Sequence, residues 1–207
     1  MLKLGFDIDE VISHLTPLLS EYLNNKWNIN FDFNTINIAD LYNIKFSDDH
    51  ELSKKIAKDL IKTANNPYFQ NNAKPIENAC NIINKWKEKG NEIYFVTSRP
   101  ISKIGYTETQ IWLHENGFEY DFLYHTGHYI EKGIVVNELE LDFFVEDRIK
   151  HVNSITKYCK YPLRKGIVIL ERPWNQKKPN DSLLQQNRII RCKDWNEIDK
   201  HLEEFGE

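Results

Sequence analysis

A chain of 207 residues is long enough for one domain of ordinary size, or a core with a modest insertion, and its 41% apolar and 13% aromatic residues can build a buried interior. Its 27 Lys and Arg against 31 Asp and Glu leave a formal net charge of −4, which excludes a protein that coats nucleic acid by neutralising phosphates and predicts no stable nucleic-acid partner. Cys80, Cys159 and Cys192 are too few and too scattered for a disulfide framework or a metal site, Asp7 and Asp9 interrupt any apolar leader, and no stretch approaches the roughly 20 apolar residues of a membrane span, so a cytoplasmic protein with reduced thiols and no membrane partner is expected.

In chain order, residues 2–11 read as a short apolar strand running into two carboxylates, Asp7 and Asp9. Residues i and i+2 of a strand share a side, but a chain turning out of a sheet presents Asp7 forward with Asp9 above it. Two acids at that point are electrostatically costly unless a cation or a reaction uses them. Residues 12–75 have a different texture, helical and rich in Asn and aromatics, with no strand pattern. Leu15, Leu18, Leu19, Tyr22 and Leu23 line one helix, and Leu52, Ile56, Leu60 and Ile61 another that stops before Pro67. This segment reads as a small helical domain above a sheet, or else as an elaborated crossover. Beyond it, strands at 92–97, 122–125, 141–146, 167–170 and 188–192 alternate with helices. Ala79, Ile82, Ile83 and Trp86 mark one helix, 102–116 a second, Val152 and Ile155 a third, and 195–205 the last. Near-continuous apolar strands separated by helices predict an α/β fold, a Rossmann-like three-layer arrangement around a parallel sheet. Basic pairs such as Lys177-Lys178 read as solvated faces.

Ligands of an open parallel sheet bind beyond the carboxyl ends of its strands, and here those ends are unusually polar. The first ends in Asp7 and Asp9, the second in Thr97-Ser98-Arg99, the fourth in Glu146-Asp147-Arg148. Lys132 precedes Glu146 in a stretch that reads as a loop carrying Gly127 and Gly133. Acids from two strand ends can hold a hard divalent cation such as Mg²⁺. A hydroxyl, backbone amides and a lysine suit a phosphoryl oxygen. One carboxylate can attack while the other handles protons. The plainer readings are Thr97 as a helix cap and Lys132 as a surface lysine, each the less favoured one; Arg148 is expected to pair with a local acid. His125 and His128 flank Gly127 and are candidate substrate contacts.

Phe6-Asp7-Ile8-Asp9-Glu10-Val11, Val96-Thr97-Ser98-Arg99, Lys132 and Val145-Glu146-Asp147 resemble, in order, the four motifs of the haloacid dehalogenase-like phosphohydrolases, across nearly the whole chain. The runs Thr97-Ser98-Arg99-Pro100, Trp112-Leu113 with Gly117, and Glu171-Arg172-Pro173-Trp174-Asn175 resemble the 5'(3')-deoxyribonucleotidases and their bacterial nucleotidase-like relatives. The resemblance implies a core of residues 1–11 and 76–207 with a C1-type cap at 12–75. It implies Asp7 as nucleophile and metal ligand, and Asp9 as acid and then base, with its backbone carbonyl on the metal. Asp147 would be a direct metal ligand, with Glu146 beside it as a further ligand through water or directly, and Thr97, Ser98 and Lys132 would hold the phosphoryl group. The position after Asp9 is often glycine in that superfamily; here it is Glu10, which with Arg99 becomes a candidate substrate contact. The implied cofactor is Mg²⁺ and the implied substrate a small phosphorylated molecule, a nucleoside monophosphate first. Another metabolite phosphate, a polynucleotide 3'-phosphate, or a non-catalytic binding protein are the alternatives, the last opposed by intact Asp7 and Asp9. Trp27, Phe31, Phe33, Tyr42, Tyr68 and Phe69 could include a base-stacking pair, though most of them read more simply as the cap's own core.

Overall fold

The computed structural model describes residues 1–35, 44–176 and 188–204; Tyr42, Lys177, Lys178 and Phe205 lie outside them. The first strand, β1 (Lys3–Phe6), runs down the middle of a six-stranded sheet. A two-residue strand β2 (Ser13–His14) and the helices α1 (Leu15–Trp27), α2 (His50–Ala64) and α3 (Pro67–Gln70) follow, and then a second short strand, β3 (Lys74–Pro75). The chain continues through α4 (Ala79–Glu88), β4 (Glu92–Thr97), α5 (Lys103–Glu115), β5 (Phe122–His125), α6 (Lys132–Glu138), β6 (Phe143–Glu146), α7 (Ile149–Tyr158), β7 (Gly166–Leu170), β8 (Ile189–Cys192) and α8 (Trp195–Glu204). Sheet order is β5-β4-β1-β6-β7-β8, with every adjacent pair parallel. The expected α/β fold is the one observed.

Period-two alternation sorts the sheet's side chains into two cores. Phe6, Phe95, Phe143, Val145 and Val168 pack against α4, α5 and α8 through Ile83, Trp112, Trp195 and Ile198. Tyr94, Val96, Phe144, Ile167 and Ile169 pack against α6 and α7 through Val136, Val152 and Ile155. Helices therefore cover both faces, which is why the strands read as apolar runs rather than as alternations. Among the described residues, no helix is long and apolar enough to cross a membrane.

Two expectations need correction. Lys132 and Gly133 do not sit in a loop; they open helix α6. A Cβ at Gly133 would run into the Ser154 carbonyl oxygen, so the glycine lets α6 press against α7 and brings Lys132 to the sheet. The helical stretch is also not free of strands. β2 and β3 pair antiparallel, Ser13 with Pro75 and His14 with Lys74, where the chain leaves the sheet and returns to it. A two-residue ribbon is too short to leave a periodicity. Between these strands, Leu15, Leu19, Leu23, Phe33, Ile56 and Leu60 form a third cluster of their own. Helix α2 starts at Asp49, whose carboxylate accepts from the Glu51 and Leu52 amides.

Candidate active site

At the end of β1 the Asp7 amide still donates to the Val145 carbonyl at 3.0 Å, and then the chain turns sharply: the Val11, Ile12 and Ser13 amides all donate to the Ile8 carbonyl. That turn forces Glu10 to φ 62°, a left-handed conformation costing a side-chain-bearing residue roughly 1–2 kcal/mol. Glycine would escape this cost, whereas Glu10 offsets it with bonds. Its carboxylate accepts from the Thr16 amide at 2.7 Å and hydroxyl at 3.0 Å, capping the first turn of α1. Its carbonyl accepts from Arg172 at 3.0 and 2.7 Å. Burial pushes the Glu10 carboxyl up to about 7, although Thr16 and Arg172 pull the other way.

Asp7 is 5% exposed and ion-paired at 2.9 Å to Lys132, whose ammonium also donates to Glu146 at 2.7 Å. Burial works against the Lys132 charge, yet Asp7 and Glu146 carry its pKa above the ordinary lysine value. Burial likewise works against Glu146, but Lys132 and His151 reverse it and hold this carboxyl well below its usual range. Both Glu146 oxygens are engaged: one by Lys132, the other by the Asp147 and Arg148 amides and His151 Nδ1. Burial, reinforced by Glu146, pushes Asp7 up to about 8 despite the lysine. Burial, then Glu146 and Asp7, push Asp147 well above its ordinary value. Asp147 Oδ2 accepts from Trp174 Nε1 at 2.8 Å, while Oδ1 is buried with no hydrogen-bond partner among the described residues. Three buried carboxylates around one lysine, with one orphaned oxygen, are a donor set short of positive charge. A hard divalent cation fits it, since Mg²⁺ binds through one or two carboxylates and completes its shell with water and phosphate oxygens.

Asp9 stands apart from this group. Its side chain, 29% exposed, is gripped by Arg99, whose own side chain is 1% exposed. Thr97 is fully buried, and its hydroxyl accepts from the Arg99 amide at 3.2 Å. It is not the cap of α5; Ser102 is.

A cavity of about 190 Å³ lies over these residues. Asp7, Asp9, Thr97, Ser98, Arg148 and His151 border it from the sheet side; Leu15, Leu19, Phe33, Ala64, Asn65 and Gln70 border it from the helical segment. Asp7, Lys132, Glu146 and Asp147 are thus brought together, with Thr97 and Ser98 at the same cavity. Glu10 and Arg99 touch it too, but their charged ends are spent on Thr16 and Asp9 instead of being free for a substrate. Lys132 is no surface lysine. His128 borders the cavity and meets Asn65 Oδ1 at 3.3 Å, whereas His125 turns to the Pro100 carbonyl.

Among the described aromatics expected to stack on a base, Phe33 borders the cavity. Trp27 donates to Asp59 at 2.9 Å, Phe31 packs edge-on against Phe33, Phe69 packs against Tyr22, and Tyr68 is 61% exposed. The second aromatic wall is Trp174, from the turn after β7. Its neighbour Asn175 donates to the Asp147 carbonyl at 2.7 Å and the Leu170 carbonyl at 2.8 Å, so this turn holds the end of β6. Sequence reasoning assigned no role to Trp174, Asn175 or His151. For His151 the signal was its place one helical turn beyond Asp147.

No family model matches the chain. It is 26% identical over 205 residues to a protein of Oceanobacillus iheyensis named "Putative nucleotidase", covering 96% of this chain and 97% of that one. A solved HAD-superfamily hydrolase of Ehrlichia chaffeensis superposes with a TM-score of 0.55 at 11% identity, covering 99% of this chain and 97% of that one. A "predicted phosphatase" of Clostridium acetobutylicum superposes with a TM-score of 0.56 at 15% identity, covering 98% of each. Sheet order, the position of the carboxylates and these likenesses agree, and the chain has the haloacid dehalogenase-like fold.

Proposed function

We propose that this chain is a Mg²⁺-dependent phosphomonoesterase that works through a covalent aspartyl-phosphate on Asp7, with a nucleoside monophosphate as its substrate class and residues 12–75 as its cap. The observation that carries this reading is the buried ion pair that Lys132 makes with Asp7, a residue that borders the cavity together with Asp9. A nucleophilic carboxylate must be ionised, and a lysine at 2.9 Å favours that form and also attracts an incoming phosphoryl oxygen. The similarity to a nucleotidase-named relative over 96% of the chain supports the substrate class.

In the first half-reaction an Asp7 oxygen attacks phosphorus, the ester P–O bond breaks, and the departing oxygen takes a proton from Asp9. In the second, water attacks phosphorus and gives a proton to Asp9, and the P–O bond to Asp7 breaks. Inorganic phosphate leaves and Asp7 is restored. Thr97 and Ser98 hold the phosphoryl oxygens, and Glu146, with both oxygens occupied, serves as the counter-ion that keeps Lys132 charged. Asp7, Asp147 and the Asp9 carbonyl would hold Mg²⁺, which when bound neutralises phosphoryl charge and orients the group. The helical segment's wall of Leu15, Leu19 and Phe33 excludes water and limits the site to small esters.

The test is a panel of nucleoside monophosphates, sugar phosphates and p-nitrophenyl phosphate, with Mg²⁺ and after exhaustive EDTA dialysis. Full activity without metal refutes the metal dependence; lower efficiency on every nucleotide than on sugar phosphates refutes the nucleotide. One observation favours that second outcome: about 190 Å³ is below the roughly 300–1,000 Å³ of pockets that enclose drug-sized ligands, so a smaller metabolite phosphate is better accommodated.

A further inference from the structure

The acid–base carboxylate of this site has a partner that the phosphomonoesterase reading leaves without a role. Arg99 Nε lies 3.0 Å from Asp9 Oδ2 and 3.3 Å from Oδ1, and Nη2 lies 2.7 Å from Oδ1. The other arm of the guanidinium, Nη1, donates to the Thr109 hydroxyl at 3.2 Å, and that hydroxyl donates to the Gly105 carbonyl at 2.8 Å. The fork is therefore anchored in helix α5 at one end and grips both oxygens of Asp9 at the other. Arg99 and Thr109 are almost fully buried, at 3% and 1% exposure, and although Arg99 and Asp9 both border the cavity, it is the Asp9 side chain that keeps 29% of its surface open. A guanidinium buried beneath a carboxylate reaches substrate only by letting that carboxylate go. A carboxylate held by a planar, two-point fork has one orientation left to offer.

We propose that Arg99 is the positioning residue for Asp9: anchored through Thr109 to α5, it aims the Asp9 carboxylate at the leaving oxygen and then at the hydrolytic water, and it makes no contact with the phosphate. The inference rests on the phosphomonoesterase reading and adds to it an orienting chain, Gly105–Thr109–Arg99–Asp9. Lysine would keep the charge at position 99 but lose the fork, so the two residues are not equivalent here.

The assay compares kcat/KM, which covers the steps up to P–O cleavage, for an alkyl phosphate and for p-nitrophenyl phosphate. An alkoxide needs a proton as it leaves and nitrophenolate does not. Arg99→Met should lower kcat/KM for the alkyl ester about 10–100-fold, within the range that general acid catalysis supplies, and for the nitrophenyl ester by less than about 3-fold. Arg99→Lys should fall between wild type and Arg99→Met on the alkyl ester alone. Thr109→Val, which retains the arginine and serves if Arg99→Met does not fold, should show the same split at smaller size. Adding Arg99→Met to Asp9→Asn should cost nothing further on either ester. Equal losses on both esters, or none, overturn the inference, because a phosphate-binding or purely structural arginine would act on both alike. Thermal melting of the same single and double variants judges the pair independently of turnover: additive shifts mean that Arg99 does not hold Asp9 and also overturn it. If the wild-type protein hydrolyses neither ester while the melts are non-additive, the phosphomonoesterase reading is what has failed.

Discussion

Removing divalent metal should make the stability of this protein depend on pH in an unusual direction. Asp7 titrates near 8 in the folded chain against an ordinary value of 3.8, chiefly because burial disfavours its charge. A carboxyl whose pKa is raised by folding binds its proton more tightly in the native state, so it favours folding at low pH, and stability is lost as pH rises toward the folded value. Each pH unit inside that window is worth about 1.4 kcal/mol per group. From pH 6.5 to 8 Asp7 alone therefore costs about 2 kcal/mol; Asp147, also raised, adds in the same direction, and Glu10, raised to about 7, adds below that point. Glu146 is shifted the other way, but its contribution is lost only below its ordinary 4.5. The lowered histidines, His151 among them, cost stability only as pH falls below 6.5. For a chain of this length 2 kcal/mol moves the melting midpoint by about 4–8 °C. Melts followed by circular dichroism in EDTA should thus give a midpoint at pH 8 at least a few degrees below that at pH 6.5, and saturating Mg²⁺ should shrink the difference by binding the ionised carboxylates. An EDTA midpoint equal or higher at pH 8 would refute the account of Asp7 and Asp147 as under-neutralised buried carboxylates.

Asp7→Asn should abolish turnover of p-nitrophenyl phosphate, since an amide cannot form the acyl phosphate, and should raise the metal-free midpoint at pH 8; wild-type kcat in this variant would remove Asp7 as nucleophile. Glu10→Ala keeps the left-handed backbone but loses the bonds to Thr16, so urea unfolding should show a loss of about 1–2 kcal/mol, with Glu10→Gly losing less because the strain is relieved; Ala no worse than Gly would contradict the capping role. Phe33→Ala should raise KM for a nucleoside monophosphate about tenfold or more, as one stacked base is worth roughly 1–3 kcal/mol, while leaving KM for a sugar phosphate near wild type; parallel changes would mean that Phe33 merely packs.

The order of strands and helices and the chemistry at the strand ends were legible in the chain itself. Buried parallel strands must be apolar on both faces, so 92–97, 141–146 and 167–170 announce themselves, and Asp7, Thr97 and Asp147 stand where such runs stop. What the sequence could not say is how each polar side chain divides its bonds. Glu10 and Arg99 both read as groups free for a substrate, yet a left-handed turn aims Glu10 at Thr16, and the packing of α5 slides Arg99 beneath Asp9. Lys132 read as part of a loop carrying Gly127 and Gly133, when Gly133 lets two helices touch. Trp174 carries no local signal for the bond it makes to Asp147, since that partner lies 27 residues away across a crossover that only the folded sheet closes. Periodicity and composition are properties of neighbours along the chain. Desolvation, ion pairing and orientation belong to neighbours in space, and there the tertiary structure alone decided.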